Sequence, residues 1–148
     1  MQAQRHESGR NVVRVRLDEG AYMPERAHAT DAGADIRTPV DVVVPAHCSA
    51  KVHTGVHIET PHGHASLIKS KSGLNVNHDI TSEGVIDEGF DGEVIVKLYN
   101  HGHNKHEFRR GDKITQIVIV PVMYADFEEA EEITAGERGS NGYGSTGR

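Results

Sequence analysis

Alternation with a period of two recurs along most of this chain and restricts its possible folds more than any other feature. "VVRVRL" (12–17) sets Val13, Val15 and Leu17 against Arg14 and Arg16. "AKVHTGVHIE" (50–59) sets Ala50, Val52, Thr54, Val56 and Ile58 against Lys51, His53, His57 and Glu59. "GEVIVKLYN" and "DKITQIVIVPV" keep the habit, the latter with Ile114, Val118, Val120 and Val122 inward and Gln116 on the same phase. Successive side chains of a strand point to opposite faces, so each segment buries one face and wets the other. Gly63, Gly84, Gly92, Gly102 and Gly111 fall between the segments, where turns are expected. Helix signal is nearly absent. "DFEEAEEIT" (126–134) has too few apolar positions to bury a face and reads as a solvated linker. The pattern predicts an all-β sandwich or barrel. Its expected divisions are a flexible N-terminus at 1–10, a β core at 11–125, a linker at 126–136 and a C-terminal arm at 137–148.

Composition narrows the function. A chain of 148 residues suits one domain with a real core. Its 22 acidic against 16 basic residues give a net charge of −6, which disfavours a nucleic-acid partner but not a small phosphorylated ligand gripped locally. No run approaches the roughly 18 apolar residues of a membrane helix, and "MQAQRHESGR" has no apolar signal region. The expectation is therefore a cytoplasmic protein with no membrane contact. The single cysteine, Cys48, excludes an internal disulfide and fits a reducing compartment. It is expected to be small and partly buried, with nothing to mark it as a nucleophile.

Four polar segments interrupt the alternation. "TDAGADI" (30–36) offers Asp31 and Asp35 around Gly33. "SKSGL" (70–74) groups a cation, hydroxyls and a glycine whose amides are free to face an anion, without the spacing of a Walker A loop. "GVIDEGFDGE" (84–93) places Asp87 directly after two apolar residues, at the edge of a core. "RRGDKITQ" (109–116) ends on Gln116, whose buried amide needs a partner. The tail "ERGSNGYGSTGR" (137–148) has four glycines and three hydroxyl residues around the lone ring of Tyr143. Taken singly, each segment reads equally well as a turn or a solvated tail.

Their order makes the difference. The chain from about 29 to 148 resembles the trimeric deoxyuridine triphosphatases (dUTPases). "ATDAGADI" is similar to the first motif of that family, "SKSGL" to the second, "GVIDEGFDGEV" to the third, "RGDKITQIVIVPV" to the fourth and "RGSNGYGSTG" to the fifth. The resemblance implies a jelly-roll-like β subunit, a distorted barrel, assembled as a homotrimer with shared active sites. It implies hydrolysis of dUTP to dUMP and pyrophosphate, which limits uracil in DNA and supplies thymidylate synthesis. Asp87 would activate the attacking water, and Asp35 would organise Mg²⁺ on the triphosphate through water. Lys71, Ser72, Gly73 and Gln116 would contact phosphates. Thr81, Gly84, Val85 and Ile86 would line the uracil hairpin, and Phe90 would pack beneath the deoxyribose. Arg138, Gly142, Tyr143, Gly144, Ser145 and Thr146 would close over the nucleotide, with Tyr143 stacking on the base. Counter-charge from Lys71 and Arg138 suits a polyanion, and glycines suit a segment that must move.

The sequence departs from the family at Lys71 (usually arginine), Phe90 (tyrosine), Tyr143 (commonly phenylalanine) and Thr81 (often asparagine). Lysine keeps the charge but loses the bidentate fork. A dCTP deaminase shares the fold but needs a glutamate where this chain has Lys97, so that rival is disfavoured. A nucleotide-responsive regulatory protein on the same fold is the non-enzyme alternative. The eleven histidines, notably His62, His64, His101, His103 and His106, are expected in solvated loops rather than in a metal site.

Overall fold

The computed structural model describes residues 10–144 together with Thr146 and Gly147, and among these are eleven short strands and one short helix. No helix among them is long and apolar enough to cross a membrane. The largest sheet has four antiparallel strands in the order β2 (Gly33–Arg37), β11 (Lys113–Pro121), β6 (His64–Lys69) and β8 (Glu83–Ile86). A three-stranded sheet runs β4 (Ser49–His53), β9 (Ile95–Asn100), β7 (Ile80–Thr81). Two ribbons, β1 (Val15–Leu17) with β5 (Val56–Ile58) and β10 (His106–Phe108) with β3 (Val42–Val44), complete the fold. It is all-β and jelly-roll-like, without a closed barrel. One core lies between the sheets, with Ile36, Val44, Val52, Ile80, Leu98 and Ile114 at its centre.

Alternation predicted most of these faces. In β9, Val96, Leu98 and Asn100 are buried while Ile95, Lys97 and Tyr99 are exposed. The 50–59 segment keeps one phase but is two strands, because Thr54 turns its hydroxyl onto the Val94 carbonyl at the break between β4 and β5. The first strand is shorter than expected, beginning at Val15.

Strand β11 corrects the expected phase. Its partner residues on β2 run from Arg37 opposite Lys113 to Ile36 opposite Thr115, so Ile114 is one residue too many. This bulge turns both Ile114 and Thr115 inward, and Ile117 rather than Val118 then enters the core. Gln116 is thereby carried onto the face away from the core, and Val122 lies outside the strand, exposed.

Four further expectations are overturned. Gly84 is not in a turn but inside β8, opposite Ile68, where a Cβ would lie 3.4 Å from the Ile68 Cβ. "SKSGL" opens a seven-residue helix, α1 (Ser72–His78), which buries no residue and so gave no apolar periodicity to detect. Cys48 is exposed, because only its backbone is used, donating to the Pro45 carbonyl and accepting from Asn100. The histidines are not confined to loops either: His64 opens β6 and His106 opens β10. Beyond Pro121 the described residues run exposed and without strand or helix, so Phe127 and Ile133 are almost wholly in solvent.

Candidate functional site

The Ile114 bulge builds the first part of the site. With Gln116 turned outward, the cross-strand row Asp35–Gln116–Lys69–Glu83 crosses all four strands of the large sheet. Asp35 is buried, and its two carboxylate oxygens are taken by Lys71 and, at 2.9 Å, by Lys113. Burial is the largest influence on this carboxyl and would raise its pKa. The hydrogen bonds and charges of Lys71 and Lys113 together outweigh it and hold the group below the usual carboxylate range. The Asp35 backbone is also fixed, exchanging both hydrogen bonds with Glu25 at 2.8 and 3.1 Å.

Gln116 lies flat over Gly33. A Cβ at Gly33 would sit 2.1 Å from Oε1, so only glycine leaves room for this amide. Gly33 is therefore a close-approach residue inside a strand rather than part of the turn between two aspartates that its sequence context allowed. Gln116 Nε2 donates to the Ser70 carbonyl at 2.9 Å. Ser70 in turn exchanges hydrogen bonds with the Ser82 backbone at 2.9 and 3.1 Å. The Ser82 hydroxyl meets Thr115 Oγ1 at 2.7 Å, and Thr115 Oγ1 donates to the Lys69 carbonyl at 2.9 Å. This lattice locks the 69–71 segment to β8 and β11. Lys71 thus stands at the start of α1, where no side chain caps the first turn and Ser72 and Gly73 are exposed. Free amides at a helix start suit phosphate oxygens.

The second part is the β7–β8 segment, which passes from the three-stranded sheet to the four-stranded one at Ser82, with the turn after it. Thr81 Oγ1 lies 2.7 Å from His101 Nε2, Val85 is 64% exposed, and Ile86 anchors the strand in the core. Asp87 follows at once and is exposed, bordering a cleft of about 530 Å³ lined also by His64, Glu88, Val122 and Tyr124. Glu88 accepts from Tyr124, from His62 at 2.8 Å and from the Gly63 amide at 3.0 Å. These bonds, Tyr124 first, push its carboxyl down to about 2. Phe90 is half exposed, its ring packed over Gly92, where a Cβ would come within 2.5 Å of the ring.

The third part is the arm. Arg138, Gly142, Tyr143, Gly144 and Thr146 are all exposed, and Ser145 lies outside the described residues.

Within one chain the structure brings Asp35, Lys71, Ser72, Gly73 and Gln116 to one end of the sheet, but it does not bring Asp87 to them. Asp87 is three strands across from Asp35 and four residues along, a separation of roughly 20 Å. Sequence reasoning missed Lys113, Ser70, Ser82 and Thr115. Lys113 opens a strand like any solvated lysine. The three hydroxyls matter only through partners 12 to 46 residues away, which no local spacing reveals.

Fold and face together define a jelly-roll-like β protein that offers a polyanion a lysine-framed carboxylate and a free helix start. The chain belongs to the dUTPase family, whose model matches residues 19–147. A deoxyuridine 5'-triphosphate nucleotidohydrolase of Clostridium acetobutylicum is 40% identical over 140 residues, covering 93% of this chain and 97% of that protein. The dUTPase of Staphylococcus bacteriophage 80alpha, solved with dUpNHpp, superposes with a TM-score of 0.86 at 28% identity, over 94% of this chain and all of that one. The dUTPase of phage phi11 of S. aureus, described as coordinating a structural Mg(II) ion, superposes with a TM-score of 0.77 at 29% identity, over 84% of this chain and all of that one.

Proposed function

We propose that this protein hydrolyses dUTP to dUMP and pyrophosphate, in active sites completed by more than one copy of the chain. The observation that carries the reading is the separation just described. The phosphate-facing residues and Asp87 are both well built, yet they stand roughly 20 Å apart in one subunit. A second copy supplying Asp87, and a further copy supplying the arm, makes one complete site. The exposed Val85, Phe90, Met123, Tyr124, Phe127 and Ile133 support the same assembly, since apolar side chains on this scale mark surfaces that are covered. A homotrimer is the assembly the family resemblance implies.

In that site Asp87 accepts a proton from a water as its oxygen attacks the α-phosphorus in line. The bond from that phosphorus to the bridging oxygen breaks, and pyrophosphate leaves. Lys71, the amides of Ser72 and Gly73, and Gln116 hold the phosphates. Thr81 and the backbone of Gly84, Val85 and Ile86 read the uracil, and Phe90 packs against the deoxyribose. Arg138 and the segment Gly142, Tyr143, Gly144, Ser145 and Thr146 close over the nucleotide and exclude water. The donor set also suits Mg²⁺, in one particular way. Both Asp35 oxygens already accept from lysines, so Asp35 fits an ion carried by the triphosphate and reached through water, rather than one ligated by protein. When bound, Mg²⁺ neutralises charge on the phosphates and orients them. The acidic surplus and single cysteine support a cytoplasmic enzyme that engages neither nucleic acid nor membrane.

Pyrophosphate release from dUTP, dCTP, dTTP and UTP with Mg²⁺ tests the reading, beside Asp87→Asn. Release from dUTP alone is expected, falling about 10²–10⁴-fold in the variant. Mixing inactive Asp87→Asn chains with inactive Lys71→Ala chains is expected to restore activity, because hybrid assemblies contain some sites with both residues intact. Binding of dUTP without pyrophosphate from any nucleotide would leave a recognition protein instead.

A further inference from the structure

Three histidines, from three successive segments, converge on the loop that carries Asp87 and Phe90. His62 holds Glu88 at 2.8 Å, His57 holds the Asp91 carbonyl at 3.0 Å, and His53 holds Glu93 at 2.6 Å. The outer two are open to solvent, with side chains 90% and 67% exposed, whereas that of His57 is only 14% exposed. His57 also differs in what it faces. Its Nδ1 meets a backbone carbonyl, and its Nε2 meets the Asp18 carboxylate at 2.9 Å. Neither of those oxygens can donate. A neutral imidazole has one N–H and satisfies one of the two, so both bonds exist together only in the imidazolium.

We propose that His57 is a positioning residue, acting as a cation bridged between Asp18 and the Asp91 carbonyl to fix the turn from Asp87 to Gly92. That turn is short and internally bonded, with the Phe90 amide on the Asp87 carbonyl at 3.3 Å and the Phe90 ring over Gly92. A shift of Asp91 therefore moves both the water-activating carboxylate and the ring that meets the sugar. The consequence for catalysis rests on the dUTP reading above; the clamp itself does not.

The groups facing His57 are few. Asp18 lies in the turn after β1 and is itself 3.2 Å from Arg16, while Arg14 and Glu59, paired at 2.6 Å, line the same cleft of about 500 Å³. Asp18 is the largest influence and raises the His57 pKa, the Asp91 carbonyl adds to this, and burial and Arg16 oppose it; the net shift is upward. A raised folded-state pKa means the clamp is complete below the ordinary histidine range and is lost as pH rises through the folded value.

Two measurements test this. Ring ¹⁵N NMR is expected to show His57 protonated on both nitrogens at pH 6.5, with Asp18→Asn lowering its titration midpoint. A neutral His57 ring at that pH overturns the proposal, whether or not the protein hydrolyses anything. The second measurement is KM and kcat for dUTP and UTP between pH 5.5 and 9 in the wild type, His57→Gln and Asp18→Asn. In the wild type, KM for dUTP is expected to rise several-fold, and preference over UTP to fall, as His57 loses its proton. His57→Gln should show the high-pH values throughout, and Asp18→Asn should move the step to lower pH. Ionisation of the nucleotide is common to all three proteins and cancels in the comparison. The same pH step in His57→Gln as in wild type overturns the proposal; should that variant fail to fold, an unmoved step in Asp18→Asn does so.

Discussion

The sheet face around Asp35 and the C-terminal arm are assigned to one site, yet they are built in opposite ways. On the sheet every polar group is already partnered: Asp35 by two lysines, Gln116 by Ser70, and Ser82 by Thr115. From Val122 onward the described residues are exposed, and the Tyr143 ring is fully in solvent. The sheet has met its ordering cost in folding, whereas the arm would meet about 1 kcal/mol or more per fixed residue on closing as proposed. Under the proposed function, such a division would let substrate enter freely and then be enclosed, with its phosphates oriented from the moment of contact.

Removing residues 137–148 is the sharpest way to separate the two. We expect kcat/KM to fall about 10²-fold or more, with the melting temperature unchanged to within about 1 °C, because the described residues of this segment are exposed and belong to no strand or helix. A large drop in melting temperature would place the arm in the folded core and dissolve the contrast. Gly33→Ala should do the reverse, costing about 1–3 kcal/mol of stability and 10–100-fold in activity together, since the new methyl takes the space of the Gln116 amide. Chemical denaturation and steady-state rates on the same preparations check both numbers.

Asp35→Asn sharpens the comparison further. It leaves Lys71 and Lys113 side by side with their shared counter-charge gone, for an expected loss of about 1–2 kcal/mol, the lysines being partly solvated. The lysines depress the Asp35 pKa against the burial that would raise it. The stabilisation is therefore complete above the ordinary carboxylate pKa of about 4 and fades as pH falls through the lower folded value. Melting curves of the two proteins should converge in acid and diverge above that pH. The smallest effect is expected from Gly92→Ala, which forces the Phe90 ring aside: preference for dUTP over UTP should fall about 3–10-fold with stability little changed.

The contrast also explains what the sequence revealed. Strands such as β9 were legible because burial on one face writes a period of two into the residues. The five polar segments were legible because each is continuous, so Asp35, Lys71, Asp87, Gln116 and Arg138 could be named as candidates from the sequence. The helix after Lys71 was not, because it packs no apolar stripe. Lys113 was not, because its role depends on an ion pair across 78 residues of chain, from 35 to 113. The histidine clamps were hidden for the same reason, their acceptors lying 26 to 40 residues away.

The extra residue at Ile114 has a consequence for anyone who surveys this protein by mutation. Replacing Ile114 with another apolar residue keeps the count of residues in β11 and should register as an ordinary core change. Deleting it removes the extra residue, so Thr115 opposite Ile36 follows Lys113 opposite Arg37 directly, and the regular strand still turns Gln116 away from the core and Ile117 into it. A scan of substitutions would rank the position as unexceptional, while a scan of single-residue deletions would find at this bulge a loss that leaves the strand's inside and outside in place, where a loss further along the strand exchanges them.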